Sequence, residues 1–231
     1  MRAPTNPEIP STRPLLCYVT DRKGLAGAKH SASLDVLRRK IEEVIAAGVD
    51  WVQIREKDLS AKDLSRVVRD TLHATNKRPP ASDATRILVN DRLDVALAEG
   101  AGGVHLGENS LSVRDAHELR CDVALSRQAK DFLIGVSCHS RESARTAAAS
   151  GADYIFFGPV FATPSKAAFG APQGLDRLAE ACAAVAIPVL AIGGITLENA
   201  QSCISVGAAG VAAIRLFQDA ADPTTAVRTF I

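Results

Sequence analysis

Eight short apolar runs alternate with eight amphipathic segments along the 231 residues, and this alternation limits the available folds more than any other feature. The apolar runs fall at 15–20, 51–55, 86–90, 103–106, 132–137, 154–158, 188–192 and 210–214. Amphipathic segments begin near Leu34, Ala61, Asp91, Val113, Arg141, Leu175, Thr196 and Pro223. Strands separated by helical crossovers pair in parallel, and eight such units close a barrel where six would leave an open sheet. A glycine phrase recurs where a helix should stop and an even-numbered strand begin: Gly48-Val-Asp, Gly100-Ala-Gly-Gly-Val, Gly151-Ala-Asp-Tyr and Gly207-Ala-Ala-Gly-Val. Glycine suits those places because it adopts the left-handed conformation that ends a helix. The expected fold is α/β, a single (β/α)₈ TIM barrel over residues 15–231 preceded by a flexible tail over 1–14. An open doubly wound sheet is the structural alternative.

Composition narrows the function classes. With 47% hydrophobic residues the chain can build a large core, and its net charge of +1 gives no global attraction for nucleic acid or membrane. No apolar stretch approaches the roughly 20 residues that span a bilayer. The start of the chain lacks the basic-then-apolar pattern of a secretory signal. Five scattered cysteines, Cys17, Cys121, Cys138, Cys182 and Cys203, fit reduced thiols in a cytoplasmic protein better than a disulfide framework. No histidine, cysteine or carboxylate spacing suggests zinc or glycosidase chemistry.

Polar residues collect at the C-terminal ends of the expected strands, where barrel enzymes place their active sites. Gln53, Arg55 and Lys57 are spaced by two, so they share a face while Val52 and Ile54 take the other. One amide and two cations suit a phosphate; the plainer reading pairs the cations with Glu56, Asp58 or Asp91. Asn90 and Asp91 end the third strand, His105 lies in the fourth, and Ser137 and His139 end the fifth. His105 reads equally as a hydrogen-bonded core residue and as a site residue. His139 stands where a general acid or base reaches a ligand. Thr163, Ser165 and Lys166 lie in a Pro/Gly-containing segment, 161–173, long enough to be a lid or binding loop. Residues 24–33 read as a second cover. Gly193 and Gly194 follow the seventh strand and Ile214 and Arg215 the eighth, the two loops that bind phosphate in many barrels.

Read in order, these residues resemble the thiamine phosphate synthase/TenI superfamily. Seven phrases carry the likeness: Gln53-Ile-Arg55-Glu-Lys57-Asp58, Val89-Asn90-Asp91-Arg92, Gly103-Val-His105-Leu-Gly107, Gly135-Val-Ser137-Cys-His139-Ser140, Phe157-Gly-Pro-Val-Phe161, Ala191-Ile-Gly193-Gly194-Ile195 and Gly207-Ala-Ala-Gly210-Val211. The resemblance implies a barrel and one of two activities. A synthase joins hydroxymethylpyrimidine diphosphate to a thiazole phosphate and releases diphosphate with Mg²⁺. In that role Gln53, Arg55, Lys57, Asn90 and Lys166 would hold the diphosphate, and Asp91 would ligate Mg²⁺. Ser137 would lie by the pyrimidine, Thr163 and Ser165 would contact the thiazole phosphate, and Gly194 and Ile214 would supply backbone donors. A TenI-like thiazole tautomerase instead moves a proton on a carboxythiazole phosphate without metal, and His139 matches its acid/base position.

Two departures bear on that choice. Synthases generally carry a second Mg²⁺-ligating Asp after the Gly-Val-His-Leu-Gly phrase; here Ser110 stands there, and a neutral serine lacks a carboxylate's charge and bite. The serine usual after Ile214 is Arg215. The nearly whole diphosphate set places the synthase first, with His139, Ser137 and Lys166 as candidate catalytic residues. The tautomerase stands second and a non-catalytic phosphate-binding barrel third. The expected partners are the two phosphorylated substrates, with no nucleic acid and no membrane; a homo-oligomer is left open.

Overall fold

The structure, a computed structural model, describes residues 13–25, 34–76, 85–123, 131–163 and 171–230. It is a closed barrel in which each strand pairs in parallel with the next: β1 (Leu15–Val19), β2 (Trp51–Ile54), β3 (Arg86–Asn90), β4 (Gly103–Leu106), β5 (Leu133–Cys138), β6 (Tyr154–Phe157), β7 (Val189–Ile192) and β8 (Gly210–Ala213). β8 returns to β1 through the register Leu15–Gly210 to Tyr18–Ala213. The crossovers are α1 (Leu34–Ala47), α2 (Ala61–Asn76), α3 (Leu93–Glu99), α4 (Val113–Val123), α5 (Arg141–Ala149), α6 (Gly174–Ala184) and α7 (Leu197–Ser205). After β8 come α8 (Arg215–Gln218) and α9 (Pro223–Arg228). The (β/α)₈ expectation holds and the open sheet falls away.

Strand parity divides the core into two layers. Leu15, Cys17, Val19, Trp51, Leu88, Leu133, Tyr154 and Phe156 fill the barrel interior. The intervening residues, among them Leu16, Tyr18, Val52, Ile54, Val89 and Val104, pack outward under the helices. Helix α1 shows the complementary pattern: Leu37, Ile41, Val44 and Ile45 are buried, a stripe at helical spacing. The four glycines of the repeated phrase all have positive φ, at 97°, 69°, 92° and 106° for Gly48, Gly100, Gly151 and Gly207. Each ends its helix and turns the chain into an even strand.

At the N-terminal face the strands are tied by side chains distant from any chemistry. Asp50 accepts from Leu16 N at 2.7 Å and from the Arg13 guanidinium at 2.7 and 3.1 Å, and Asp153 accepts from Ile134 N at 2.7 Å. The described residues include all five cysteines, and all are free thiols. Burial raises the thiol pKa of Cys17, Cys138 and Cys203, the behaviour of packing residues. Among the described residues no helix is long and apolar enough to cross a membrane.

Candidate active site

The interior parity that fills the barrel with apolar side chains continues upward into polar ones. Gln53 follows Trp51 on the interior face and is buried, and its amide donates to Asn90 Oδ1 at 2.8 Å. Asn90 in turn donates from Nδ2 to Asp91 Oδ2 at 2.7 Å. Asp91 has φ of 62°, a left-handed conformation a non-glycine residue rarely holds, fixed by its N–H donating to His105 O at 2.9 Å. The other carboxylate oxygen, Oδ1, accepts from Gly107 N at 3.2 Å and from the Ser110 hydroxyl. Partial burial raises the Asp91 pKa, but the Ser110 and Gly107 hydrogen bonds, the Lys57 charge and the Asn90 amide together hold it below the ordinary value. Asp91 is therefore a fixed anion at neutral pH.

Beside it lies a cationic edge. Of the three anions that a structural ion-pair reading offers Arg55 and Lys57, Glu56 and Asp58 pair elsewhere, and Asp91 feels the Lys57 charge without forming an ion pair within 4.0 Å among the described residues. The buried Glu56 accepts from Thr20 Oγ1 at 2.7 Å and from Arg22 N, and its Oε2 lies 3.6 Å from Arg22 Nε. Asp58 takes Arg22 Nη2 at 2.7 Å and Lys23 Nζ at 3.4 Å. Thr20 Oγ1 also accepts from Arg55 N at 2.9 Å, so this network grips the Arg55 backbone. Among the described residues neither Arg55 nor Lys57 has an ion-pair partner within 4.0 Å. Burial drives the Glu56 pKa upward against these stabilising donors.

His105 is buried in the barrel, its ring 4.3 Å from that of Phe156. Its Nδ1 meets the Tyr154 hydroxyl at 3.1 Å and its Nε2 meets Ser137 Oγ at 2.9 Å. Burial pushes its pKa down to about 3, so the ring is neutral. Of the two readings left open for His105, the core one applies, and through Ser137 that core histidine reaches the barrel mouth. His139 lies half-buried beyond β5, with Nδ1 hydrogen-bonded to the Gly158 carbonyl. A carbonyl only accepts, so the neutral ring carries its proton on Nδ1 and leaves Nε2 as the basic nitrogen.

The glycine loops meet the segment after β6. Gly193 and Gly194 have φ of 96° and 67°. A Cβ on Gly193 would stand 2.6 Å from Pro159 Cα, and one on Gly194 2.6 Å from Ala162 O. Val160 N and Phe161 N donate to Ile192 O and Gly193 O at 2.9 and 3.0 Å, while Gln173 N and Gly174 N return to Pro159 O and Val160 O. The base of the 161–173 segment is thus clamped from both sides. Thr163 is half-buried at its start; Ser165 and Lys166 lie outside the described residues, as does most of the expected 24–33 cover. Ile214 packs against the barrel interior, and Arg215 opens α8 exposed to solvent, without an ion pair among the described residues. A groove of about 470 Å³ between α5 and α6 is lined by Arg141, Arg145 and Arg177 with Glu142 and Glu180.

Thr20, Arg22 and Tyr154 are neighbours of the candidate residues that sequence reasoning did not single out, and Ser110 is one it marked only as a departure from the family phrase. Thr20 and Arg22 lie more than thirty positions from Arg55 and Glu56, and only the pairing of β1 with β2 brings them together.

Fold and mouth define the class: a (β/α)₈ barrel whose carboxylate, cations and hydroxyls converge at the C-terminal ends of the strands. A family model described as "Thiamine monophosphate synthase" matches residues 25–217. The chain is 38% identical over 225 residues to the thiamine-phosphate synthase of Chlorobium limicola, covering 96% of this chain and 94% of that one. It is 43% identical over 185 residues to the thiamine-phosphate synthase of Methanoculleus marisnigri, covering 80% and 81%. The solved thiamine phosphate pyrophosphorylase of Pyrococcus furiosus superposes with a TM-score of 0.75 at 30% identity, covering 93% of this chain and 92% of that one. This chain belongs to the thiamine monophosphate synthase family.

Proposed function

We propose that the chain is a thiamine-phosphate synthase, coupling hydroxymethylpyrimidine diphosphate to a thiazole phosphate with release of diphosphate. The observation that carries this reading is the cationic edge: among the described residues Arg55 and Lys57 have no ion-pair partner beside the fixed Asp91 anion, while Glu56 and Asp58 are occupied by Arg22. Expelling diphosphate from a pyrimidine methylene leaves a cation on carbon and concentrates charge on the leaving group. Arg55 and Lys57 stabilise that charge, with Gln53 and Asn90 orienting the diphosphate and Lys166 joining them from the loop. Ser137 faces the pyrimidine, the locus at which the carbon–nitrogen bond forms. Thr163, Ser165 and the backbone N–H groups of Gly193, Gly194 and Ile214 receive the thiazole phosphate, near Arg215. No acceptor among the described residues takes the N–H of Gly193 or Gly194.

The donor set fits Mg²⁺ in a substrate-bridged form. This ion is commonly held by one or two carboxylates together with waters and substrate phosphates, and Asp91 supplies one charged carboxylate aimed at the diphosphate edge. Bound there, Mg²⁺ would neutralise part of the diphosphate charge. Ser110 contributes a neutral oxygen, and its hydroxyl orients the Asp91 carboxylate.

The His139 geometry favours a second reading, proton transfer on a carboxythiazole phosphate, because the Gly158 carbonyl leaves Nε2 basic. The synthase reading ranks first because tautomerisation has no use for a diphosphate edge. Arg55→Ala should reduce coupling by about 10²–10³-fold in steady-state assays, the scale of losing one preorganised charge-stabilising group. Near-normal turnover in that variant with both substrates would overturn the synthase reading.

A further inference from the structure

The Tyr154–His105–Ser137 chain is fully connected, and its polarity follows from burial. Tyr154 is completely buried, and His105 Nδ1 at 3.1 Å is the one hydrogen-bond partner of its hydroxyl among the described residues. A phenol O–H must donate somewhere, and among the described residues the only acceptor is Nδ1. Were Nδ1 to carry the proton instead, the Tyr154 proton would be stranded in an apolar interior between the Trp51 and Phe156 rings, whose centroids lie 4.8 and 5.3 Å away. The ring proton therefore resides on Nε2 and is donated to Ser137 Oγ at 2.9 Å.

From this we infer that Tyr154 and His105 are positioning residues that fix Ser137 as a hydrogen-bond donor toward the barrel mouth. With one lone pair of Oγ occupied by His105 Nε2–H, the serine proton is left to point into the site. Ser137 is itself only half-buried and makes no other side-chain hydrogen bond among the described residues. A hydroxyl oriented this way selects a substrate atom with a lone pair, such as the ring nitrogen of an aminopyrimidine, and disfavours an amino group at the same place. Gly135 belongs to the device: a Cβ there would collide with the Tyr154 ring, so only glycine lets the phenol lie across β5. The substrate named rests on the synthase reading; the direction of the proton chain does not.

The test is a long-range ¹⁵N–¹H correlation spectrum of the histidine rings in the full-length protein, with His105 assigned through its backbone. The expected spectrum shows His105 protonated at Nε2 and bare at Nδ1. Protonation at Nδ1 overturns the proposal, because Ser137 would then donate to His105 and turn its lone pairs outward. In Tyr154→Phe the Nδ1 resonance should move as it loses its donor, and an unmoved resonance removes Tyr154 from the chain. In kinetics, Tyr154→Phe should raise KM for the pyrimidine diphosphate about fivefold to tenfold, the scale of one hydrogen bond, and leave KM for the thiazole phosphate unchanged. Equal changes in both constants contradict positioning through Ser137. Absence of coupling in the wild type would sink the synthase reading alone, since the ring spectrum still reports the proton order.

Discussion

Ser110 shows how one substitution changes what a carboxylate can do. Its hydroxyl and the Gly107 amide both donate to Asp91 Oδ1, while Asn90 donates to Oδ2, so the carboxylate is charged and fixed in orientation. A carboxylate at 110 would face Asp91 directly and repel it until a cation arrived. Ser110→Asp should therefore lower the Mg²⁺ concentration at half-maximal binding by about tenfold, read by metal titration of the diphosphate-bound protein. An unchanged titration would place the β4–α4 loop away from the metal. The sequence marks Ser110 as a departure from the family phrase but does not reveal that the serine rotates onto Asp91. That contact depends on the left-handed turn at Asp91, φ of 62°, which no residue pattern announces.

At the level of elements, period-2 and helical patterns are legible wherever packing repeats them. β3 and β4 fall at their expected bounds, β5 is shifted one residue onward to end at Cys138, and the other strands are one residue shorter at one end, where the ladder stops before the apolar run does. α8 is invisible to such reading because four residues, Arg215–Gln218, cannot display an amphipathic period. The Gln53, Arg55 and Lys57 cluster is legible because strand parity aligns it. Its lack of ion pairs among the described residues is not, since it depends on Arg22 from the loop after β1 claiming Glu56 and Asp58. The Gly193-Gly194 pair serves two ends at once, exposing backbone N–H groups and admitting the β6–α6 segment. Gly194→Ala should destabilise the fold by about 1–3 kcal/mol, because φ of 67° and the Ala162 carbonyl both oppose a Cβ. At roughly 2–4 °C per kcal/mol for a chain of this size, thermal unfolding will show the loss, and an unchanged Tm would mean that the clamp at Ala162 does not form.

The whole molecule is a barrel that buries an uncharged histidine at its centre, and its stability should depend on pH accordingly. The His105 pKa is pushed from 6.5 to about 3 in the folded chain. Between those values the unfolded chain binds a proton that the folded chain refuses, so the stability present above pH 6.5 is lost as pH falls towards 3. At pH 4.5 the loss should be about 2–3 kcal/mol relative to pH 7, measured by urea unfolding, and His105→Gln should remove that share. An acid limb of equal slope in the variant would contradict a neutral buried ring. On the synthase reading the same barrel takes two anionic substrates at one mouth. The most direct measurement supplies hydroxymethylpyrimidine diphosphate and both thiazole phosphate tautomers, with and without Mg²⁺, and follows every product. The predicted result is thiamine phosphate and diphosphate released in equal amounts and dependent on Mg²⁺; metal-independent exchange of the thiazole tautomers without diphosphate release would contradict it.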